Sequence, residues 1–95
     1  MQYVVHAYDR TDSGALARRM AVRERHLEGV RTMKRKGTFH FGGALLNCEG
    51  KMIGSMMLVE FPSEDDLKTW LDVEPYMQEG VWDRVDIKPF RKAEV

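Results

Sequence analysis

The sequence predicts an α+β domain of the ferredoxin-like kind, β-α-β-β-α-β: a four-stranded antiparallel sheet with two helices on one face. Three observations predict it. Four β-patterned runs and two helical runs follow one another in that order. Ninety-five residues suffice for one core but not two, so residues 1–95 form a single domain. The third β-patterned run is apolar on both faces, and two helices can cover only one of them.

Residues 3–8, Tyr-Val-Val-His-Ala-Tyr, read as the first strand, closed by a polar turn from Asp9 to Gly14. From Ala15 to about Lys36 the apolar residues recur at helical spacing. Stepped at about 100° per residue, Leu16, Met20, Leu27, Val30 and Lys34 form one stripe, with Arg23 at its centre. His26 falls a quarter turn aside, in line with Val22 and Met33, at the border of the buried face. Gly37 supplies the helix stop. Residues 38–46 and 52–61 are strands joined through the hairpin signal Asn47-Cys48-Glu49-Gly50. Ser63 with Asp66 opens a second helix in the manner of a capping box, and Glu64, Asp65 and Asp66 charge its first turn favourably. That helix buries Leu67, Trp70 and Leu71 and ends before Pro75, which biases Glu74 away from helical geometry. A turn through Gly80 leads to the last strand, 81–90.

In the third strand Met52, Gly54, Met56 and Leu58 form one face, and Ile53, Ser55, Met57, Val59 and Phe61 the other. The uncovered face needs a second layer, and a second copy of the chain supplies it most simply. The expected assembly is a symmetric homodimer with sheets face to face, a dimeric α/β barrel.

Fifteen basic residues balance fifteen acidic ones, so the chain offers no field for a phosphate backbone, and nucleic acid is excluded as an expected partner. The one basic run, Arg31, Lys34, Arg35 and Lys36, falls in the last turns of the first helix, where cations complement the helix dipole. Cys48 is the only cysteine, which points to a reducing compartment. No apolar run approaches membrane-spanning length, so the expected location is cytoplasmic, with no membrane partner.

A histidine and a carboxylate from different elements are the minimum equipment for proton transfer near neutral pH. His26 and Glu74 are the candidates, although Asp72 serves equally well on spacing alone. Gly54-Ser55 is a polar break in an apolar strand, where glycine admits close approach of a backbone or ligand. Arg23 is either a substrate anchor or a snorkelling, ion-paired residue. His6 and His40 lie on strands, but no two of the three histidines have metal-ligand spacing, so no metal or cofactor is expected. Gly42-Gly43 lacks the helix and lysine of a phosphate loop. The seven methionines suit an adaptable core or interface.

Taken in order, Tyr3-Val4-Val5, the helical run Arg18 to His26 with Ala21-Val22-Arg23 before His26-Leu27, Gly42-Gly43, Gly54-Ser55, Glu74-Pro75-Tyr76, Gly80-Val81 and Lys88-Pro89-Phe90 closely resemble the YciI-like family of small dimeric α/β-barrel proteins. The resemblance runs nearly end to end. It implies a ferredoxin-like fold, a homodimer and a site built on a His-Asp pair, carried here onto His26 and Glu74. The family includes an enzyme that eliminates hydrogen chloride from a chlorinated hydroxyhydroquinone. Glu74 replaces the family's usual Asp; its extra methylene moves the carboxylate by roughly an ångström or more, which matters to catalytic geometry. The resulting expectation is a proton-transfer enzyme of the lyase or isomerase type acting on a small cyclic or phenolic molecule. His26 acts as general base, Glu74 orients it, and Ser55, Arg23, Gly54 and Tyr76 bind the substrate. The alternatives are a non-catalytic small-molecule-binding protein of the same fold and a haem-dependent monooxygenase of related architecture.

Overall fold

A computed structural model describes residues 1–95. Its elements are β1 (Gln2–Asp9), α1 (Ala15–Lys36), β2 (Phe39–Leu46), β3 (Met52–Glu60), α2 (Glu64–Val73), α3 (Pro75–Gln78) and β4 (Trp82–Phe90). The strands form one antiparallel sheet in the order β2-β3-β1-β4, the arrangement the alternation of elements predicts. No helix is long and apolar enough to cross a membrane.

The central strand β1 alternates strictly. Tyr3, Val5, Ala7 and Asp9 point inward, while Gln2, Val4, His6 and Tyr8 stay partly exposed. Pairing Tyr3 with Val59, Val5 with Met57 and Ala7 with Ser55 puts Val59, Met57 and Ser55 on the same inner face of β3. Leu67 and Leu71 of α2 and Val22 and Met33 of α1 complete the core over them. Val4, Met56 and Leu58 lie on the opposite, uncovered face.

Local chemistry sets the element ends. Gly37 takes φ 80°, and the N–H groups of Gly37 and Thr38 donate to the carbonyls of Lys34 and Met33, closing α1. The Ser63 hydroxyl accepts the Asp66 N–H at 3.2 Å to open α2. In the β2–β3 hairpin the Asn47 side-chain oxygen accepts from the Glu49 and Lys51 N–H groups, at 2.9 and 3.0 Å.

Two expectations are corrected. The buried face of α1 is Arg19, Val22, His26 and Met33, whereas Leu16 and Met20 are 38% and 52% exposed. An arginine displaces the apolar stripe because its guanidinium finds partners beneath the helix. The segment after Pro75 is also not a plain turn: it forms the single helical turn α3, with Pro75 at its first position.

Candidate active site

Glu74 stands at the junction of two helices. It ends α2 and caps α3, with an extended backbone (φ −69°, ψ 132°). Pro75 has no N–H of its own, so the first free helical donor is that of Tyr76, and Glu74 Oε2 accepts it at 2.7 Å. The other oxygen, Oε1, contacts Nδ1 of His26 across the α1–α3 interface. Both oxygens of a carboxylate only 3% exposed are therefore engaged, and its orientation is fixed.

His26 is equally confined. Its ring stacks on Tyr76 at 4.1 Å and 15°, and meets Trp82 edge-on at 6.0 Å. Because a carboxylate accepts at Nδ1, that nitrogen carries the proton in the neutral ring, and Nε2 holds a free lone pair. An aromatic clamp and a fixed acceptor thus leave His26 a single chemically available atom.

A second polar cluster lies beside the first. Arg19 Nη1 donates to both oxygens of Asp9, at 2.9 and 3.1 Å, and Nη2 donates to Ser55 Oγ at 2.8 Å. The guanidinium also lies 4.8 Å from the Tyr76 ring centre. Arg19 Nε is buried without a partner. Burial pushes the Asp9 carboxyl above its usual range, while the Arg19 charge and hydrogen bonds oppose the rise. Burial likewise raises the Tyr76 phenol, against Arg19 and Arg23. Since Ser55 accepts from Arg19, its own hydroxyl proton remains available to another acceptor.

These groups border a cavity of about 130 Å³ between α1 and the β2–β3 half of the sheet. Arg19, Arg23, His26, Ser55 and Tyr76 line it, together with Gly42 and Gly43. A cavity of about 150 Å³ takes a benzene ring, so this space is on the scale of a single six-membered ring.

The structure therefore brings His26, Arg23, Ser55 and Tyr76 to one cavity, with Glu74 directly behind His26. The extra methylene of Glu74 does not prevent the contact. Gly54 does not reach the cavity: a Cβ there would lie 2.5 Å from the Ala7 carbonyl oxygen, so this glycine serves the close approach of β1 and β3. Asp72 is exposed and takes no part. Of the other histidines, His6 lies on the uncovered face of the sheet and His40 pairs with Glu60 at 2.7 Å. Cys48 is exposed in the hairpin.

Asp9 and Arg19 are absent from the sequence-based candidates. The signal for Asp9 was present, since it continues the inward alternation of Tyr3, Val5 and Ala7. That for Arg19 was its place one and two turns before Arg23 and His26 on the same helix. In the resembling motif Arg18 stands first, but Arg18 lies at the surface and pairs with Asp12 at 2.8 Å.

With the geometry in view, three comparisons bear on this chain. The family model described as YCII-related domain matches residues 1–91. Protein YciI of Escherichia coli is 32% identical over 98% of this chain and 99% of its own length. An uncharacterised Haemophilus influenzae protein is 31% identical over the same shares. Among solved structures, 5-chloro-2-hydroxyhydroquinone dehydrochlorinase (TftG) of Burkholderia phenoliruptrix, in complex with 2,5-dihydroxybenzoquinone, superposes with a TM-score of 0.87 at 20% identity, covering 98% of this chain and 96% of that one. An Agrobacterium tumefaciens protein superposes with a TM-score of 0.53 at 17% identity, covering 98% and 94%. At these identities the superpositions speak for the fold alone.

Proposed function

This chain belongs to the YCII-related domain family, and from that premise we propose that it is an acid–base enzyme catalysing elimination or isomerisation of a small single-ring phenolic compound. One observation carries the reading: His26, held by Glu74 through Nδ1 and clamped on Tyr76, lines a cavity on the scale of a six-membered ring and keeps Nε2 without a hydrogen-bond partner.

His26 Nε2 removes a proton from substrate carbon or oxygen, and the imidazolium formed is stabilised by Glu74. The Ser55 hydroxyl, already accepting from Arg19, donates to the substrate oxygen on which charge develops. Arg23 supplies a positive charge at the same wall. In an elimination, the electrons of the broken C–H or O–H bond form the new double bond. The leaving group departs with its own bonding pair. His26 then returns its proton to solvent or to the leaving group. Neither oxidant nor reductant is consumed. The TftG neighbour is named for an elimination and holds a single-ring ligand, which supports the size and chemistry proposed here.

We further propose that the chain works as a homodimer in the cytoplasm, its sheets packed face to face through the side that carries Val4, Met56 and Leu58. The lone exposed Cys48 suits a reducing compartment.

The chemistry is tested by incubating the protein with hydroquinone-type compounds in deuterated water and following carbon-bound proton exchange. His26→Ala should lower the rate by about a hundred- to ten-thousandfold. Glu74→Gln should lower it substantially, with the imidazole still in place. Ligand-induced thermal stabilisation without exchange would identify a binding protein and overturn the catalytic reading.

A further inference from the structure

The one-ring cavity is not closed on all sides. Val30, Phe39 and Gly42 form part of its wall and also part of a second, more open groove of about 440 Å³ running along the C-terminal half of α1. The residues around the two spaces are unlike the rest of the molecule. Fifteen acidic residues balance fifteen basic ones in the chain, yet no carboxylate lines either space. The cations that do are Arg19 and Arg23 in the inner cavity, and Arg31, Lys34 and Arg35 in the outer groove.

Two of the five already have an acidic partner: Arg19 is paired with Asp9 and Arg31 with Glu24, at 2.9 Å each. Lys34 donates only to the His40 carbonyl and Arg35 only to the Thr32 hydroxyl. Arg23, half-buried, has no hydrogen-bond or ion-pair partner. Three cations, Arg23, Lys34 and Arg35, thus lack an acidic partner between the cavity wall and the groove rim, although Glu60 pairs with His40 at that rim. Dipole complementation accounts for Lys34 and Arg35 in the last turn of α1. It does not account for Arg23, three turns earlier, or for the missing carboxylates.

Resting on the single-ring reading above, we propose that the ligand has two parts: a phenolic ring that fills the inner cavity, and an ionised acid group on a short arm that lies in the basic groove. The dimensions agree. Lys34 lies eight residues beyond His26, roughly 12 Å along the helix axis. A ring with a two-carbon arm covers much of that distance, and the lysine stem spans the remainder. Gly42 borders both spaces; a Cβ there would lie 2.6 Å from the Met56 carbonyl oxygen and 3.0 Å from the Phe39 ring tip, so the close pairing of β2 with β3 holds this shared border to a residue without a side chain.

Three probes test the proposal: hydroquinone, 3-(4-hydroxyphenyl)propionate and the amide of that acid, each titrated by calorimetry and by NMR. The acid should bind about fivefold more tightly than its amide at low salt, as expected for a solvent-exposed charge pair a few ångströms apart. That ratio should shrink as salt rises. The acid should shift the His26 imidazole together with the Val30 and Gly42 amides. The double variant Lys34→Gln/Arg35→Gln, at two exposed positions, should bring acid and amide to equal affinity. Equal affinities in the unaltered protein, or a ratio that survives the double variant, would overturn the two-part ligand. The ring-site reading would still stand, provided hydroquinone shifts His26. If no probe shifts His26, the ring site fails and the two-part ligand fails with it. Shifts at Val30 and Gly42 with a silent His26 would likewise refute it, reducing the groove to a separate anion contact.

Discussion

Arg19 shows how one side chain ties the fold to the site. Its guanidinium is 3% exposed and joins β1 through Asp9, β3 through Ser55 and α3 through the Tyr76 ring. Removing one partner of a buried ion pair strands the other charge, which costs about 3–5 kcal/mol, whereas removing both costs far less. Arg19→Met should therefore lower the unfolding free energy in urea by that amount, and Asp9→Asn in the same chain should restore part of it. A second expectation concerns Tyr76, whose phenol is raised above its ordinary value by burial. A raised group contributes stability that is complete below its unfolded value, about 10, and is lost as pH climbs through the folded value. Above pH ~10 the wild-type protein should thus lose stability faster than Tyr76→Phe, by up to about 1.4 kcal/mol per pH unit. Urea midpoints from pH 8 to 11 would read the difference; parallel curves would place the phenol in water. The residues themselves divide by legibility. His26 and Glu74 could be singled out because proton chemistry needs those types. Arg19 shares the helical phase of Arg23 and His26, but its burial depends on Asp9 and Ser55, which are ten residues and thirty-six residues away and which that phase does not reveal.

At the scale of elements, hydrophobic period and punctuation carried most of what the sequence disclosed. Gly37, Asn47 to Gly50 and Ser63 each mark a boundary by a local mechanism, and each boundary falls where that mechanism puts it. The inward face of α1 was misread for the opposite reason. Leu16 and Met20 have helical spacing but nothing above the sheet to cover them, and the polar residues Arg19 and His26 take the buried positions instead. α3 was invisible because a single turn has no period to detect; only the Glu-Pro pair hinted at a cap. Gly29 within α1 and Gly37 at its C-terminal cap give a paired prediction. Gly29 is mid-helix, and a Cβ there would meet nothing within 4 Å, so Gly29→Ala should stabilise by about 0.5–1 kcal/mol. Gly37 has φ 80°, where an L side chain is strained, so Gly37→Ala should destabilise by about 1–2 kcal/mol. Thermal unfolding of both variants checks the pair, and equal effects would mean that the Gly37 conformation is not required.

Across the whole molecule, the inconsistency visible in the third strand persists in three dimensions. One side of the sheet is covered by helices and holds the core. The other carries half-buried Val4 and Met56 beside a buried Leu58 down its centre, with Phe41 57% exposed at the flanking strand. Around this apolar middle lie His6, Glu60, Arg84, Asp86 and Lys88, a polar border of the kind that rims a stable interface. With extents of 39 × 29 × 21 Å, the sheet face is broad enough to bury the roughly 800 Å² per partner of a standard interface. A face-to-face pair would remove this surface from water, at about 25 cal/mol per Å² of apolar area. Light scattering at micromolar concentration should then give about twice the chain mass of 11.0 kDa. Met56→Arg is the sharpest probe. Met56 pairs with His6 and Gly43 on the uncovered face, so the new side chain can reach water in a monomer without disturbing the core. In a dimer it would bury two like charges near each other, a cost of several kcal/mol that the interface cannot absorb. The variant should fold, keep its helical circular dichroism and scatter as a monomer. A wild-type mass near 11.0 kDa would show that the open face is solvated in the working protein. A Met56→Arg protein that remains a dimer would place the contact elsewhere on the surface.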